Sequence, residues 1–151
     1  MTSTGWTIRR ARREDRETWA ALRAALWPDA DRAELAAELE PYFGPAPRKV
    51  CVIADVEGQE PVGFAGLSIR SYAEGCVTDR IGYLEGWYVL PDWRRRGVGR
   101  ALVAAGEAWA RGEGCTEFAS DALLNNQLSR DAHRALGFAE VEEIVCFRKD
   151  L

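Results

Sequence analysis

The sequence predicts an α/β layer fold, of the α+β kind, in which helices flank a mixed central sheet. Three runs rich in branched and aromatic residues, KVCVIADV, PVGFAGLSIR and GYLEGWYVL, follow one another without intervening helices, which excludes a regular βαβ alternation. Two other segments carry helical spacing: Trp19, Leu22 and Leu26 near the N-terminus, and Val98, Leu102, Ala105 and Trp109 in the second half. The resulting order is strand, two helices, three strands, helix, strand, helix, strand.

Taken in chain order, residues 7–10 read as a short opening strand. The first helix must stop before Pro28, because the residue preceding a proline is driven out of helical conformation. A second, acidic helix is expected over 33–39. The strands starting at Lys49 and Pro61 are separated by Glu57-Gly58-Gln59-Glu60, a hairpin signature, and the strand over 82–90 is closed by Pro91. The following helix ends near Gly112 and Gly114. Residues 117–120 form a short strand, and 125–136 a helix with Leu128, Ala132, Ala135 and Leu136 facing inward and Gly137 as its cap. Residues 141–148 give a last strand or strand pair. No gap is long enough for a linker, so residues 1–151 read as one domain.

Composition narrows the function. With 47% hydrophobic residues the chain is globular, and 20 basic against 24 acidic side chains give a net charge of −4. That balance disfavours nucleic acid as a partner and suits a cationic small molecule. No stretch approaches the ~18 apolar residues of a membrane span, and the Arg-rich start lacks the apolar core of a secretion signal, so a cytoplasmic protein is expected. Cys51, Cys76, Cys115 and Cys146 are scattered and the chain has one histidine, which leaves no metal-ligand spacing. Buried, reduced thiols are expected, with Cys51 and Cys146 inside apolar strand runs.

The most informative stretch is YLEGWYVLPDWRRRGVGRALVAAGEAW. An apolar strand turns into Arg94-Arg95-Arg96-Gly97-Val98-Gly99-Arg100 and then directly into an amphipathic helix. Unpaired N–H groups and the positive end of the helix dipole meet there, and glycine lets a phosphate approach the main chain. Four arginines within seven residues add the charge that a pyrophosphate needs. The P-loop and dinucleotide patterns, GxxxxGK[ST] and GxGxxG, are both absent.

A cationic small molecule carrying aliphatic amines near pKa 10 is mostly protonated at neutral pH, so a site for it needs carboxylates to hold the charge, and any chemistry at the nitrogen needs a route to remove a proton. Glu85, Asp121 and Glu142 are the candidates. Glu85 interrupts an apolar strand just before the anion loop, and Asp121 ends a short strand just before the helix at Asn126. Asp29, Asp31, Glu34, Glu38 and Glu40 have only Arg32 as a local countercharge, which gives a solvated helix face or a negative lip that concentrates a cation. Asn126 either contacts the cofactor or caps its helix.

Arg94-Arg95-Arg96-Gly97-Val98-Gly99 matches [Q/R]xxGx[G/A], and the later Asn126, His133 and Ala135-Leu136-Gly137-Phe138 match a second segment. On these motifs the chain resembles the GCN5-related N-acetyltransferase superfamily. Leu26-Trp27-Pro28, Ser68-Ile69-Arg70, Tyr72, Gly75-Cys76, Leu84-Glu85-Gly86, Ala119-Ser120-Asp121 and Phe147-Arg148-Lys149 are similar, in the same order, to its aminoglycoside 6′-N-acetyltransferases. The resemblance implies a mostly antiparallel central sheet, acetyl-CoA as co-substrate, no metal, and acetyl transfer to the 6′-amine of a polycationic antibiotic by direct attack in a ternary complex. It further implies that the main chain of Trp87, Tyr88 and Val89 holds the thioester and pantetheine arm, with the Val89 amide facing the oxyanion. Trp27 and Tyr72 would wall the acceptor pocket, and Glu85, Asp121 and Glu142 would bind its amines and hydroxyls. The proton would leave through Glu85 or an ordered water. Many members carry a tyrosine where this chain has His133, which either protonates the departing thiolate or packs without chemistry. A homodimer is also implied. The residues equally admit another amine acceptor, such as a polyamine, an amino sugar or a protein N-terminus, or a non-catalytic coenzyme-binding module.

Overall fold

A computed structural model describes residues 5–44 and 49–151; the first four residues of the Arg-rich start lie outside the described residues. Five strands, β1 (Thr7–Arg10), β2 (Lys49–Asp55), β3 (Gly63–Arg70), β4 (Ile81–Val89) and β5 (Glu117–Ser120), form one sheet in that spatial order. The first four pair antiparallel and β5 joins β4 in parallel, so the sheet is mixed and mostly antiparallel as expected. The helices are α1 (Arg16–Leu26), α2 (Arg32–Ala37), α3 (Val98–Gly112) and α4 (Gln127–Ala135).

The central strands read as continuous apolar runs because both of their faces are covered. Val50, Val52 and Ala54 of β2 pack with Leu102 and Val103 of α3, whereas Cys51 and Ile53 pack with Trp19 and Leu22 of α1. Strand alternation thus divides one segment between two cores. Tyr42, in the 3-10 turn Glu40–Phe43 after α2, meets Trp19 edge-on at 4.8 Å and closes the second core.

The entry to α1 is fixed by charge. The Arg9 guanidinium forks onto Asp15 at 2.8 and 2.9 Å and reaches Asp55 at 3.1 Å, tying β1, β2 and the helix start together. Asp15 also accepts from the Arg12 amide at 2.7 Å. The hydrogen bonds from Arg9 outweigh burial and hold the Asp15 carboxyl below its ordinary value.

The end of the chain departs from expectation. Residues 141–148 form no strand and are exposed, and Cys146 is exposed with them, whereas Cys51 and Cys115 are buried as free thiols. An alternating segment becomes a strand only beside an edge that it can pair with, and here it does not lie in register along β5. Leu128, expected to face inward, is 71% exposed and Ala135 is also exposed. Only the last turn meets the α3-side core, through Leu136 and Phe138.

Asp15→Asn should lower the unfolding free energy by about 2 kcal/mol at neutral pH, measured by urea denaturation. Because the folded carboxyl has a depressed pKa, its contribution is complete above the unfolded value of about 3.9 and is lost as pH falls through the folded one. The difference between the two proteins should therefore shrink in acid.

Candidate active site

The site begins where two strands part. β4 and β5 are paired from Ile81↔Glu117 to Leu84↔Ser120, and β4 then continues to Val89 without a partner on that side. At the same point the register with β3 jumps from Leu67↔Leu84 to Gly66↔Gly86, so Glu85 is the extra residue of a β-bulge. The bulge puts Glu85 and Gly86 successively on the α1 side of the sheet. Gly86 has no side chain to offer there, and the Trp27 ring fills the notch: a Cβ on Gly86 would lie 2.7 Å from Trp27 Cη2.

Main-chain amides line the open edge of β4. The Leu90 amide donates to the Val62 carbonyl on the β3 side at 2.8 Å, so the Val89 amide, one residue earlier, faces the opposite, open side. A 3-10 turn, Pro91–Trp93, then leads to the arginine-glycine loop. Arg95 (φ 61°) and Gly97 (φ 82°) both adopt left-handed backbone, and α3 starts at Val98. Alternation of this kind turns successive N–H groups toward one point, an anion-binding nest at a helix N-terminus. Val98 is buried in the core and contributes by its main chain alone. Gly99 lets the first turn lie against Trp87, whose ring would be 3.1 Å from a Cβ at that position.

The arginines are not equivalent. Arg94 Nε donates to the Val89 carbonyl at 2.8 Å and its guanidinium covers the Tyr88 ring, so it braces the turn. Arg96 lies over Trp93 at 4.6 Å. Arg95 and Arg100 are exposed at the mouth of the loop.

The acidic residues form a connected network. Glu85 accepts from Ser68 Oγ at 2.6 Å and from Arg70 Nε and Nη2 at 2.9 and 2.6 Å. The Arg70 guanidinium stacks 3.5 Å from the Tyr83 ring centre, and the Tyr83 hydroxyl donates to Asp121. Burial alone would raise the Glu85 pKa, but Arg70 and Ser68 hold it below the ordinary carboxylate value. Burial first, and the hydrogen bond to Asp121 second, push the Tyr83 hydroxyl upward, so it remains a proton donor.

Two hollows adjoin this network. One, of about 360 Å³, is lined by Arg23, Trp27, Glu38, Tyr42, Lys49 and Glu85. Arg23 is buried, pairs with Glu38 and lies 4.8 Å from the Trp27 ring centre. The Tyr42 hydroxyl, desolvated beside Glu85, is pushed up to about 12. The other is a wider groove of about 830 Å³ between β5, α4 and the C-terminal segment, lined by Tyr83, Asp121, His133, Phe138 and Glu142 among others.

His133 lies at the junction of α4 and the parted strands, edge-on to Trp87 at 5.4 Å. Its Nδ1 is 2.7 Å from the Ser129 carbonyl and therefore carries a proton; Nε2 is 2.9 Å from Ser120 Oγ. The Ser120 hydroxyl also points at the Leu84 carbonyl, 3.1 Å away. When that hydroxyl donates to Leu84, Nε2 must donate to Ser120 and the ring is the imidazolium. When it donates to Nε2, the ring is neutral.

Glu85, Asp121, Trp27, His133 and the amide edge are thus brought to one end of the sheet. Tyr72 is not among them: it is 69% exposed in the β3–β4 connection and lines neither hollow. Glu142 is exposed on the wide groove. Asn126 caps α4, its side chain accepting from the Ser129 amide at 3.1 Å. The acidic lip is largely compensated: Asp31 caps α2, Glu38 pairs with Arg23, and Glu40 pairs with Arg16 and Arg13. Local sequence showed only Arg32 because the countercharges arrive from α1 and the turn that precedes it. Sequence reasoning gave Ser68, Arg70 and Tyr83 no role, although Ser68 and Arg70 are polar at alternate positions of an otherwise apolar strand, which is the signature of one face turned to a polar partner. Among the described residues no group of histidine, cysteine and carboxylate side chains could hold a metal ion.

Comparisons with known proteins agree with this geometry. The model of the acetyltransferase (GNAT) family matches residues 11–138. An aminoglycoside N(6')-acetyltransferase type 1 of Klebsiella aerogenes is 49% identical over 95% of this chain and 96% of its own, and one of Stenotrophomonas maltophilia is 44% identical over 100% and 97%. Among solved structures, AAC(6')-Iy in complex with the bisubstrate analogue CoA-S-monomethyl-acetylneamine superposes with a TM-score of 0.89 at 37% identity, covering 97% of this chain and 99% of that one. With the family motif on the nest and the parted strands beside it, this chain belongs to the GNAT acetyltransferase family.

Proposed function

We propose that this protein acetylates the 6′-amine of aminoglycosides, using acetyl-CoA, by direct attack in a ternary complex. It is an acetyl-CoA-dependent N-acetyltransferase, and the observation that carries the finer reading is the meeting of an anion nest, an open amide edge and two carboxylates at one end of the sheet. The coenzyme supplies an activated acetyl group; the chain must bind its pyrophosphate, orient the thioester and receive a cation. Residues 95–99 and Arg100 suit the first task, through main-chain donors and exposed charge. Trp87, Tyr88 and Val89 suit the second by their main chain, with the Val89 amide as donor to the charge that develops on the thioester oxygen.

Glu85 and Asp121 receive the acceptor's ammonium groups, and Trp27 supplies the apolar wall. Of the two routes for the proton, Glu85 or an ordered water, the forked arginine favours water, because a carboxylate held so firmly ionised is a weak base. His133 is our candidate for protonating the thiolate: with Nδ1–H held on the Ser129 carbonyl, the imidazolium form offers its second proton from Nε2, and the ring sits against Trp87 at the parting of the strands. Glu142 lies on the groove that Asp121 also lines and is assigned to the acceptor's outer amines. Asn126 and Tyr72 keep no direct role in this reading. Loss of a cationic amine is the chemical basis on which such a transfer confers antibiotic resistance.

The quaternary state is proposed as a homodimer. From Thr116 to the end at Leu151 no residue is buried, and Ile144, Val145 and Phe147 stand in water on a segment whose pattern is that of a strand. A second copy is the occupant that would bury these apolar side chains. Residues 1–151 act as one domain in this reading. The four free thiols support a cytosolic location, and no helix among the described residues is long and apolar enough to cross a membrane.

Mass spectrometry of kanamycin- and tobramycin-class compounds after incubation with acetyl-CoA should show one acetyl group on the ring that bears the 6′-amine; no product from any such compound would overturn the acceptor. Glu85→Gln and Asp121→Asn should each raise the acceptor KM by about tenfold and leave the KM for acetyl-CoA unchanged, in steady-state assays. Ile144→Asp with Phe147→Asp should convert a sedimenting dimer to a monomer, with the melting of the α1 and α3 cores preserved.

A further inference from the structure

Arg70 has no place in the reaction as described above, yet it touches both halves of the acceptor site. Its guanidinium donates two hydrogen bonds to Glu85, which lines the hollow beside Trp27. Its flat face covers Tyr83, which lines the groove on the other side and holds Asp121 through its hydroxyl. Arg70 therefore stands between the two carboxylates, bonded to one and stacked on the residue that orients the other. We propose that Arg70 is a positioning residue for the acceptor: the fork fixes the Glu85 carboxylate in one orientation, and the stack fixes the Tyr83–Asp121 pair relative to it.

The chemistry favours arginine over any other side chain at this position. A planar fork matches both carboxylate oxygens at once, and the same plane can lie on an aromatic ring; an ammonium group does one or the other. The spacing of the two acceptor cations is then set by Arg70, which makes it a determinant of which polyamine shapes fit. Ser68 occupies part of Oε1 as well, so the lone pairs left on Glu85 point in a restricted set of directions.

The electrostatic surroundings of Glu85 are drawn from every neighbouring element. Lys49 of β2 is a further cation that lowers its pKa, and Arg23 of α1 lies across the hollow, paired with Glu38. Tyr42 beside it stays neutral, and Asp121, held by the Tyr83 hydroxyl, also acts on the Arg70 charge. Of the cations among the described residues, only Arg70 is hydrogen-bonded to the carboxylate. Removing it leaves burial opposed by Ser68 and the more distant charges.

The inference rests on the acceptor reading given above, and the test separates the two. Carbon-13 NMR titration of the Glu85 carboxyl in the substrate-free protein should show a midpoint about one unit or more higher in Arg70→Gln than in the unaltered chain. The acidic limb of kcat/KM for the aminoglycoside should rise with it, while the KM for acetyl-CoA stays constant. Arg70→Lys keeps the charge and loses the fork and stack; its acidic limb should stay near that of the unaltered protein while the acceptor KM rises about tenfold. An unchanged Glu85 midpoint in folded Arg70→Gln, or an unchanged acceptor KM in Arg70→Lys, overturns the proposal. A merely structural arginine would shift the melting temperature and leave the pH limb in place. If the unaltered protein acetylates no aminoglycoside, the acceptor reading fails, and the substrate-free titration still decides what Arg70 does to Glu85.

Discussion

The separation of β4 from β5 after Leu84 and Ser120 is the constraint on which the site depends. Paired strands satisfy each other's amides and leave no room between them; parted strands expose a row of donors at the bottom of a wedge. Everything chemical is arranged around that wedge. The nest at the start of α3 lies just beyond its lip because β4 runs directly into the loop, and His133 reaches it because α4 follows β5 on the other arm. The bulge at Glu85 sits at the fork itself, where one extra residue both bends β4 away and turns a carboxylate toward α1.

Charge in this region is organised as a chain of pairs rather than as an open negative surface. Arg70 serves Glu85, Arg23 serves Glu38, and α1 supplies Arg16 to Glu40. The steering field imagined from the acidic run around α2 is therefore weaker than a count of local carboxylates suggests, since exposed pairs cancel within a Debye length. Recognition of a polycation falls instead on the few carboxylates that have geometry as well as charge.

Much of this was legible in the sequence, and the reasons are specific. β2 to β4 and α3 could be read from their apolar patterns because residues on a sheet covered on both faces and on an amphipathic helix leave strong, short-range signals. Gly97 and Gly99 announced the loop because glycine adopts the left-handed turn without strain at one and leaves room for Trp87 at the other. The bulge was invisible, since Glu85-Gly86 looks like any strand interruption until β3 supplies the register. The ion pairs were equally hidden, as Arg70 and Glu85 are separated by a whole strand connection. Residues 141–148 carried a strand pattern but form no strand, because alternation says nothing about whether a sheet edge lies in register beside it.

The notch at Gly86 has a consequence for how this fold could come to accept molecules of other outlines. One side of the hollow beside Trp27 is defined by an absent side chain, with the indole keyed into backbone, so its width is a property of the sheet and not of a rotamer. Widening it by substitution would release the ring without creating ordered space, and narrowing it would expel the ring altogether. Remodelling of the entrance is thus channelled toward the opposite bank, which Pro41 and Tyr42 form from the segment between α1 and β2.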